Sequence, residues 1–454
     1  MVKYILHKFS HKRDRGIVLA VITAMGSKFG GVALQLFAIP LAIRDLGTAD
    51  FALFAIASSI LAFFMFSNVG IGGYLVVAIP EAILRPKESV NVKSLISTSL
   101  FLTASVGSLF TTAFLVFCAK FGLNRICGEI YEYAPLAIFN ILIVVISFGF
   151  VQLLSSIFNA AQNAYQELHY SNIYGGVGSL TSALCIFSYF CFSENATVVG
   201  YVASFYFPVA LSQLLNAFHF LKRHPKAMPS LASVQVSTIR PILLGGGAFM
   251  IAQTIFPLSI REFPKFLFAS QGALQDVTTY SLLMTLLSML GGITLSLTQP
   301  LFGGMSDAWA QGDTSWVKKR IVQVLKLFLA LGVFLVVVGG LGGRSLTGIW
   351  VGENAAISNS IMCVFGLYFS LSCVFHLFTL SLYAMRLKYA CVLANALTAL
   401  MFCFILISVD SVDVFGAIIS ASTCLTAVGI PICLASFYLS NSRVEANGVA
   451  RSLY

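Results

Sequence analysis

Twelve long apolar stretches cover most of this 454-residue chain, and no soluble fold can bury so much apolar surface. Hydrophobic residues make up 58% of the chain and charged residues only 10%, whereas soluble domains carry about 25% charged residues. Because an α-helix rises about 1.5 Å per residue, about 20 apolar residues are enough to cross a bilayer. The pattern therefore predicts an all-α integral membrane protein.

The apolar stretches predict twelve transmembrane helices arranged as two six-helix halves. The predicted spans are 17–43, 51–78, 94–118, 135–158, 173–192, 197–221, 241–268, 277–302, 321–341, 357–382, 389–409 and 414–439. The corresponding organisation is a basic tail at 1–16, an N-terminal half at 17–221, a connection at 222–240, a C-terminal half at 241–439 and a tail at 440–454.

The positive charges predict the orientation of the chain. An even number of spans places both termini on one side of the membrane. If that side is the cytoplasm, nineteen of the 27 Lys and Arg residues fall in inside segments and four in outside segments, as the positive-inside rule requires. The same asymmetry accounts for the net charge of +10, so we expect cytoplasmic termini and no nucleic-acid partner.

A short sequence match suggests that the two halves are repeats. The sequence PLAIRD at 40–45 ends the first span, and PLSIRE at 257–262 lies at the same place in the seventh. A glycine follows each, Gly47 in the first copy and Gly272 in the second. Six spans per half predict a parallel repeat, an arrangement found in alternating-access transporters. The alternative is a helix-end motif that the two segments share for local reasons.

Several glycine-rich and small polar motifs carry a family resemblance. They are RDLGTADF at 44–51, NVGIGG at 68–73, QPLFGG at 299–304, SDAW at 306–309 and Gly312-Asp313. With the twelve-span layout, they make the chain similar to the Wzx-type O-antigen or capsular polysaccharide flippases. These form the polysaccharide transporter family of the multidrug/oligosaccharidyl-lipid/polysaccharide exporter superfamily. The resemblance covers roughly residues 17 to 440.

The resemblance implies a MATE/MurJ-like exporter fold and a non-enzymatic function. The expected substrate is an oligosaccharide repeat unit linked to polyprenyl diphosphate. Alternating access would move it from the cytoplasmic to the outer leaflet of the bacterial inner membrane. The family also implies a proton or sodium gradient rather than a bound cofactor. Expected partners are membrane lipid, a polysaccharide polymerase and chain-length proteins.

Lys28 lies in the middle of the first predicted span. A cation at the bilayer centre costs roughly 2.5–3.5 kcal/mol, and Lys28 lies too deep for its side chain to reach the membrane surface easily. We therefore expect it to face a cavity and attract the substrate's diphosphate; the alternative is a structural ion pair. Related peptidoglycan-precursor flippases carry several cavity arginines, whereas Lys28 is the only central charge of this span. Lys326, near the predicted start of span nine, is expected to snorkel instead.

Three charged residues lie in the second half of the seventh span. Glu262 and Lys265 are i,i+3 neighbours that can pair on a helix, and Arg261 carries a guanidinium suited to phosphate. We predict that Arg261 and Lys265 bind the diphosphate and that Glu262 is a protonatable coupling site. The alternative is an ordinary solvated helix end.

Polar side chains within other spans are candidates for sugar contacts. Asn68, Gln152 and Asn159 could meet glycan hydroxyls, and the competing role is hydrogen bonding between helices. His376 is either a proton relay or a packing histidine. The glycine triplet 245–247 favours either a hinge or close packing.

The acidic residues discriminate between functions. Of the 17 Asp and Glu, only Glu262 falls well inside a predicted span. A MATE-like cation-coupled drug antiporter, the second reading, should carry buried carboxylates, whereas a carrier of an anionic diphosphate should carry cations. A membrane-embedded polymerase or glycosyltransferase is disfavoured by the short connections and the lack of a D-x-D motif. A channel is disfavoured by the lack of a filter-like repeat.

Overall fold

The structure, a computed structural model, describes residues 12–68, 70–84, 91–121, 135–253, 255–310, 313–385, 387–409 and 411–439. Throughout these ranges the secondary structure is helical and contains no strand. Nine helices of the described chain are long and apolar enough to cross a membrane. The predicted all-α membrane fold is confirmed. The predicted tail 440–454 and residues 1–11 of the N-terminal tail lie outside the described ranges.

The described helices coincide with most of the predicted spans, but the first helix covers span one and part of span two, and two helices cover the predicted span 241–268. In chain order the helices are α1 (Lys12–Met65), α2 (Ile71–Leu84), α3 (Val92–Phe121), α4 (Pro135–Ala164), α5 (Leu168–Phe192), α6 (Val198–Arg223), α7 (Val236–Gln253), α8 (Ile255–Ser270), α9 (Leu274–Ala310), α10 (Thr314–Val351), α11 (Asn359–Ala384), α12 (Lys388–Ser408) and α13 (Val414–Cys424). A π-helical turn, Leu425–Gly429, extends α13, and helix continues to residue 439.

Gly47 separates the first two predicted spans inside α1. An unbroken helix of 54 residues would be about 80 Å long, far more than the roughly 30 Å of a bilayer core. The backbone leaves helical geometry at Gly47, where φ is 87° and ψ is 171°. Gly272, its predicted counterpart, also has a positive φ of 71° between α8 and α9. The correspondence between the two sequence segments therefore extends to the backbone.

The second predicted span is interrupted near its centre. A 3-10 turn, Phe66–Asn68, follows α1, and Gly70 has a positive φ of 67°. A side chain at Gly70 would collide with the backbone carbonyl of Gly246 in α7, and one at Gly245 would meet the ring of Tyr74. The glycine triplet 245–247 thus permits close packing in the described conformation, the second of its two predicted roles.

Side-chain caps fix where several helices begin. The N-cap residues whose side chains accept a backbone N–H are Asn91, Thr197, Asp313, Ser358 and Asp413, before α3, α6, α10, α11 and α13. The Asp313 carboxylate also accepts a hydrogen bond from Ser315, and the two bonds hold the pKa of Asp313 below its ordinary value. Its contribution to stability is present at neutral pH and is lost as the pH falls through that lowered pKa.

The chain forms two compact units. The first contains the described residues up to Met250 together with Ala269–Leu274, and the second contains Ile251–Phe268 and the described residues from Gln275 onward. Most of α7 therefore belongs to the first unit. The division into six-helix halves at 222–240 stays a prediction.

Each unit has its own packing. In the first, Phe54 of α1 stacks edge-on against Tyr201 and Phe205 of α6. In the second, α10 and α11 approach so closely that a side chain at Gly339 or Gly366 would meet the backbone of the other helix. Small residues at such contacts are typical of helix packing in lipid, where apolar surface alone gives little drive for association.

Side chains of neighbouring helices donate to carbonyls in the turn before two of the prolines that lie within helices. Pro264 lies inside α8 and lacks an N–H for the carbonyl of Ile260, four residues earlier. The buried hydroxyl of Tyr280 in α9 donates to that carbonyl at 2.6 Å. In the first unit, the Ser182 hydroxyl of α5 donates to the Phe205 carbonyl at 2.6 Å and lies 3.2 Å from the carbonyl of Ser204, which precedes Pro208 by four residues.

Removing the Tyr280 hydroxyl should therefore destabilise the second unit. We expect Tyr280→Phe to lower the free energy of unfolding by about 1–3 kcal/mol, because the Ile260 carbonyl becomes a buried acceptor without a donor. In a Pro264→Ala background the helix regains its own N–H donor, so the same change should cost less. Thermal unfolding of the four proteins in detergent measures the cycle. An equal cost of Tyr280→Phe in both backgrounds would contradict this explanation.

Candidate functional site

The three charged residues of α8 do not share one environment. Glu262 and Lys265 are both buried, and the Lys265 ammonium donates to the Glu262 carboxylate at 2.7 Å. The predicted i,i+3 pair is therefore present, and the alternative of a solvated helix end is wrong for these two residues. Arg261 is about half-exposed, with its Nε 3.8 Å from Glu262. Glu262 and Lys265 neutralise each other's charges. Among the charged groups of α8, the Arg261 guanidinium is the cation that stays accessible.

Arg261 lines a cavity of about 150 Å³ in the second unit. The wall is part apolar and part polar: Phe256, Pro257, Leu287, Tyr368, Ser372, Phe375, His376, Thr379 and Asn395 complete it. Sites that enclose a whole drug-sized ligand measure roughly 300–1,000 Å³. This cavity is therefore large enough for a single charged group but too small for an oligosaccharide. Lys265, predicted to bind beside Arg261, is not part of the wall.

Most of the polar side chains in the wall lie on one face of α11. Of these, the sequence analysis identified only His376. Tyr368, Ser372, His376 and Thr379 are spaced by four, four and three residues, so they share one face of a helix. This polar stripe in an otherwise apolar span was the signal that could have found them. Asn395 of α12 could not have been found in this way, because only the packing of α12 brings it to the same cavity.

His376 lies at the cavity wall and is also used in packing. Its Nε2 is 3.3 Å from the Thr298 hydroxyl of α9. The histidine is half-buried, and its ring connects the cavity to the neighbouring helix. The structure thus places His376 in the wall of the cavity that Arg261 also lines. The sequence alone did not predict that these two residues share a cavity.

Lys28 lies half-buried in α1 of the first unit, beside a close helix contact. The neighbouring glycine, Gly30, approaches the carbonyl of Gly176 in α5 so closely that a methyl group would be 3.2 Å from it. Ser27 makes the same kind of contact with Gly176. The predicted close approach at the glycines around Lys28 is therefore present at Gly30, whereas Gly26 and Gly31 face open space.

Asn159 belongs to a buried network of amides between α4 and α6. Its Nδ2 donates to Gln213 at 2.9 Å, and its Oδ1 accepts from Asn216 at 2.7 Å. Gln162 and Asn216, both buried, exchange two more hydrogen bonds. With both ends of its amide engaged, Asn159 matches the interhelical role that competes with glycan contact.

Asn68 and Gln152 keep unused hydrogen-bonding capacity. Asn68 donates to Ser156 of α4 at 2.9 Å, but its Oδ1 has no hydrogen-bond partner among the described residues, and neither does Nε2 of Gln152. Gln152 lies one helical turn before Ser156, so the Gln152 side chain and the Ser156 side chain that Asn68 contacts lie on the same side of α4. Both atoms are buried in this conformation, so the glycan contacts of these two residues stay a prediction.

Comparisons with known proteins identify the fold. No family model matches the chain, and no curated protein matches it. A multidrug-resistance MATE family transporter of the MOP superfamily, in an inward-facing conformation, aligns with TM-score 0.72 over 94% of this chain and 98% of its own, at 12% identity. The lipid II flippase MurJ aligns with TM-score 0.66 over 93% and 87%, at 14% identity.

A variant of the Vibrio cholerae MATE transporter VcmN aligns with TM-score 0.63 over 95% of this chain and 97% of its own, at 15% identity. At these identities the likeness shows the fold alone. The chain therefore has the MATE/MurJ-like fold that the sequence predicted, and the fold by itself does not separate a drug transporter from a lipid flippase.

Breaking the buried ion pair of α8 should be costly. Lys265→Met leaves the Glu262 carboxylate buried beside an apolar side chain, and we expect the free energy of unfolding to fall by about 3–5 kcal/mol. The double variant Glu262→Gln/Lys265→Met has no uncompensated charge and should recover most of that loss. Lys326→Met, at an exposed position of α10, is the matched control. Thermal unfolding in detergent measures all three, and a stable Lys265→Met would contradict the interpretation.

Proposed function

We propose that the protein is a non-enzymatic flippase for an oligosaccharide repeat unit carried on polyprenyl diphosphate, either an O-antigen or a capsule unit. It would move the unit to the outer leaflet of the bacterial inner membrane by alternating access, with both termini in the cytoplasm. A proton or sodium gradient would supply the energy. A polymerase and chain-length proteins would use the product.

The observation that carries this proposal is the charge of the Arg261 cavity. The one buried carboxylate of α8 is neutralised by Lys265, so the cavity presents a guanidinium with neutral hydroxyl, imidazole and amide groups. Arg binds phosphate through two parallel N–H donors. A phosphate group suits both the charge and the volume of this cavity, whereas the glycan needs contacts elsewhere, for which Asn68 and Gln152 are candidates.

The same observation argues against the cation-coupled drug antiporter. Such a carrier needs a carboxylate that is free to exchange a proton or a metal ion for a cationic drug. Glu262 is held by an ammonium at 2.7 Å and by the nearby Arg261. Its role as a coupling site therefore requires this pair to open during transport.

Deletion of the gene in the native host tests the function. We expect the complete lipid-linked repeat unit to accumulate on the cytoplasmic face and the surface polysaccharide to disappear. Extraction of polyprenyl-diphosphate-linked glycans and an assay of their sidedness measure this. Intact surface glycan without accumulation would reject the flippase and make drug efflux the next assay.

Charge-removing variants test the proposed phosphate contacts. Complementation of that deletion with Lys28→Gln or Arg261→Gln should restore surface polysaccharide at least about tenfold less well than wild type, because loss of a charge-assisted hydrogen bond of about 1.5–3 kcal/mol weakens phosphate binding. Arg261→Lys should recover part of the loss, since the charge remains without the bidentate geometry. Lys326→Gln is the control and should complement fully. Membrane levels of each variant exclude misfolding, and full export by both Gln variants would remove these residues from the mechanism.

A further inference from the structure

The connection between α6 and α7 is an ordered segment with a fixed inner face. It consists of two 3-10 turns, Pro225–Ala227 and Leu231–Ser233. The backbone N–H of Ser230 donates to the Ser97 hydroxyl of α3 at 3.0 Å, and that of Gln235 donates to Thr98 at 3.0 Å. Ala227 is buried in the hydrophobic core of the first unit. These contacts hold the segment against α3.

Three large apolar side chains in this connection and at the start of α7 are exposed. The side chains of Met228, Leu231 and Val236 are 60%, 83% and 80% exposed. The hydrogen bonds at Ser230 and Gln235 hold the backbone on either side of Leu231. Exposed apolar side chains on an ordered surface identify a contact site only together with a second feature, here the basic residues around them.

The charged residues within this connection and at its ends are all basic. Residues 222–240 contain Lys222, Arg223, Lys226 and Arg240 and no Asp or Glu. Arg223 is engaged by Glu167 at 2.9 Å and stacks over Tyr170. Lys222, Lys226 and Arg240 are exposed. Apolar side chains rimmed by basic ones are the composition of segments that lie in the interface of an anionic membrane.

The position of the segment matches the level of that interface. It joins the end of α6 to the start of α7 and is attached near the start of α3, and α3 and α6 are both long enough to span a bilayer. We propose that Met228, Leu231 and Val236 insert into the anionic phospholipid surface that borders these helix ends, with Lys222, Lys226 and Arg240 against the lipid phosphates. This membrane anchor is separate from the transport function proposed above.

Depth measurements on the full chain in nanodiscs test the anchor. A fluorescent amino acid is incorporated at position 231, and at the exposed position 319 of α10 as the control. Quenching by a nitroxide at the lipid headgroup is compared with quenching by acrylamide from water, in discs of phosphatidylcholine with and without phosphatidylglycerol. The same label is placed at 231 in a Lys226→Gln/Arg240→Gln variant. All proteins are checked for an unchanged unfolding temperature.

We expect the label at 231 to be quenched mainly from the lipid in discs that contain phosphatidylglycerol, and the label at 319 mainly from water. Each basic residue removed should weaken the association with anionic lipid about fivefold. Three results would overturn the proposal: quenching of 231 mainly by acrylamide, lipid quenching that does not change with lipid charge, or protection from both quenchers, which would indicate a protein partner or a second copy of the chain.

Discussion

In hydrocarbon, a backbone N–H or carbonyl without a partner costs several kcal/mol, and most of this structure follows from that constraint. It restricts the described spans to helices. It also requires that every interruption of a helix be compensated. The carbonyl freed by Pro264 receives the Tyr280 hydroxyl, and the Ser182 hydroxyl contacts the carbonyls of Ser204 and Phe205 in the turn before Pro208. Each compensation comes from a neighbouring helix, so the prolines that distort a helix also specify what packs beside it.

The same scarcity of solvent governs the charged groups of α8. A buried carboxylate and a buried ammonium are tolerated there because they are in direct contact. Their mutual neutralisation leaves the adjacent guanidinium to set the sign of the cavity. A helix that carries two cations and one anion thus presents a single positive group, and that group is surrounded by hydroxyl, imidazole and amide side chains suited to a phosphate oxygen.

Polar residues inside the spans divide by whether their hydrogen bonds are already used. The amides of Asn159, Gln162 and Asn216 satisfy one another, so they stabilise the contact of α4 with α6. Asn68 and Gln152 each retain an unpaired polar atom among the described residues, beside the interruption of the second span. Residue type did not separate these two groups, since all of them are amides in apolar helices. The partners did.

The sequence by itself determined the all-α membrane fold class, the separation of the first two predicted spans around Gly47 and the i,i+3 pair of Glu262 and Lys265. These depend on hydropathy, helical spacing and backbone preference, which are local properties. Only the tertiary structure decided that Arg261 and not Lys265 reaches the cavity. It alone brought Asn395 to that wall, engaged both ends of Asn159 and left three apolar side chains exposed in the α6–α7 connection and at the start of α7. Those outcomes depend on which helices pack together and at what rotation, and a residue's own neighbours in the chain do not encode that.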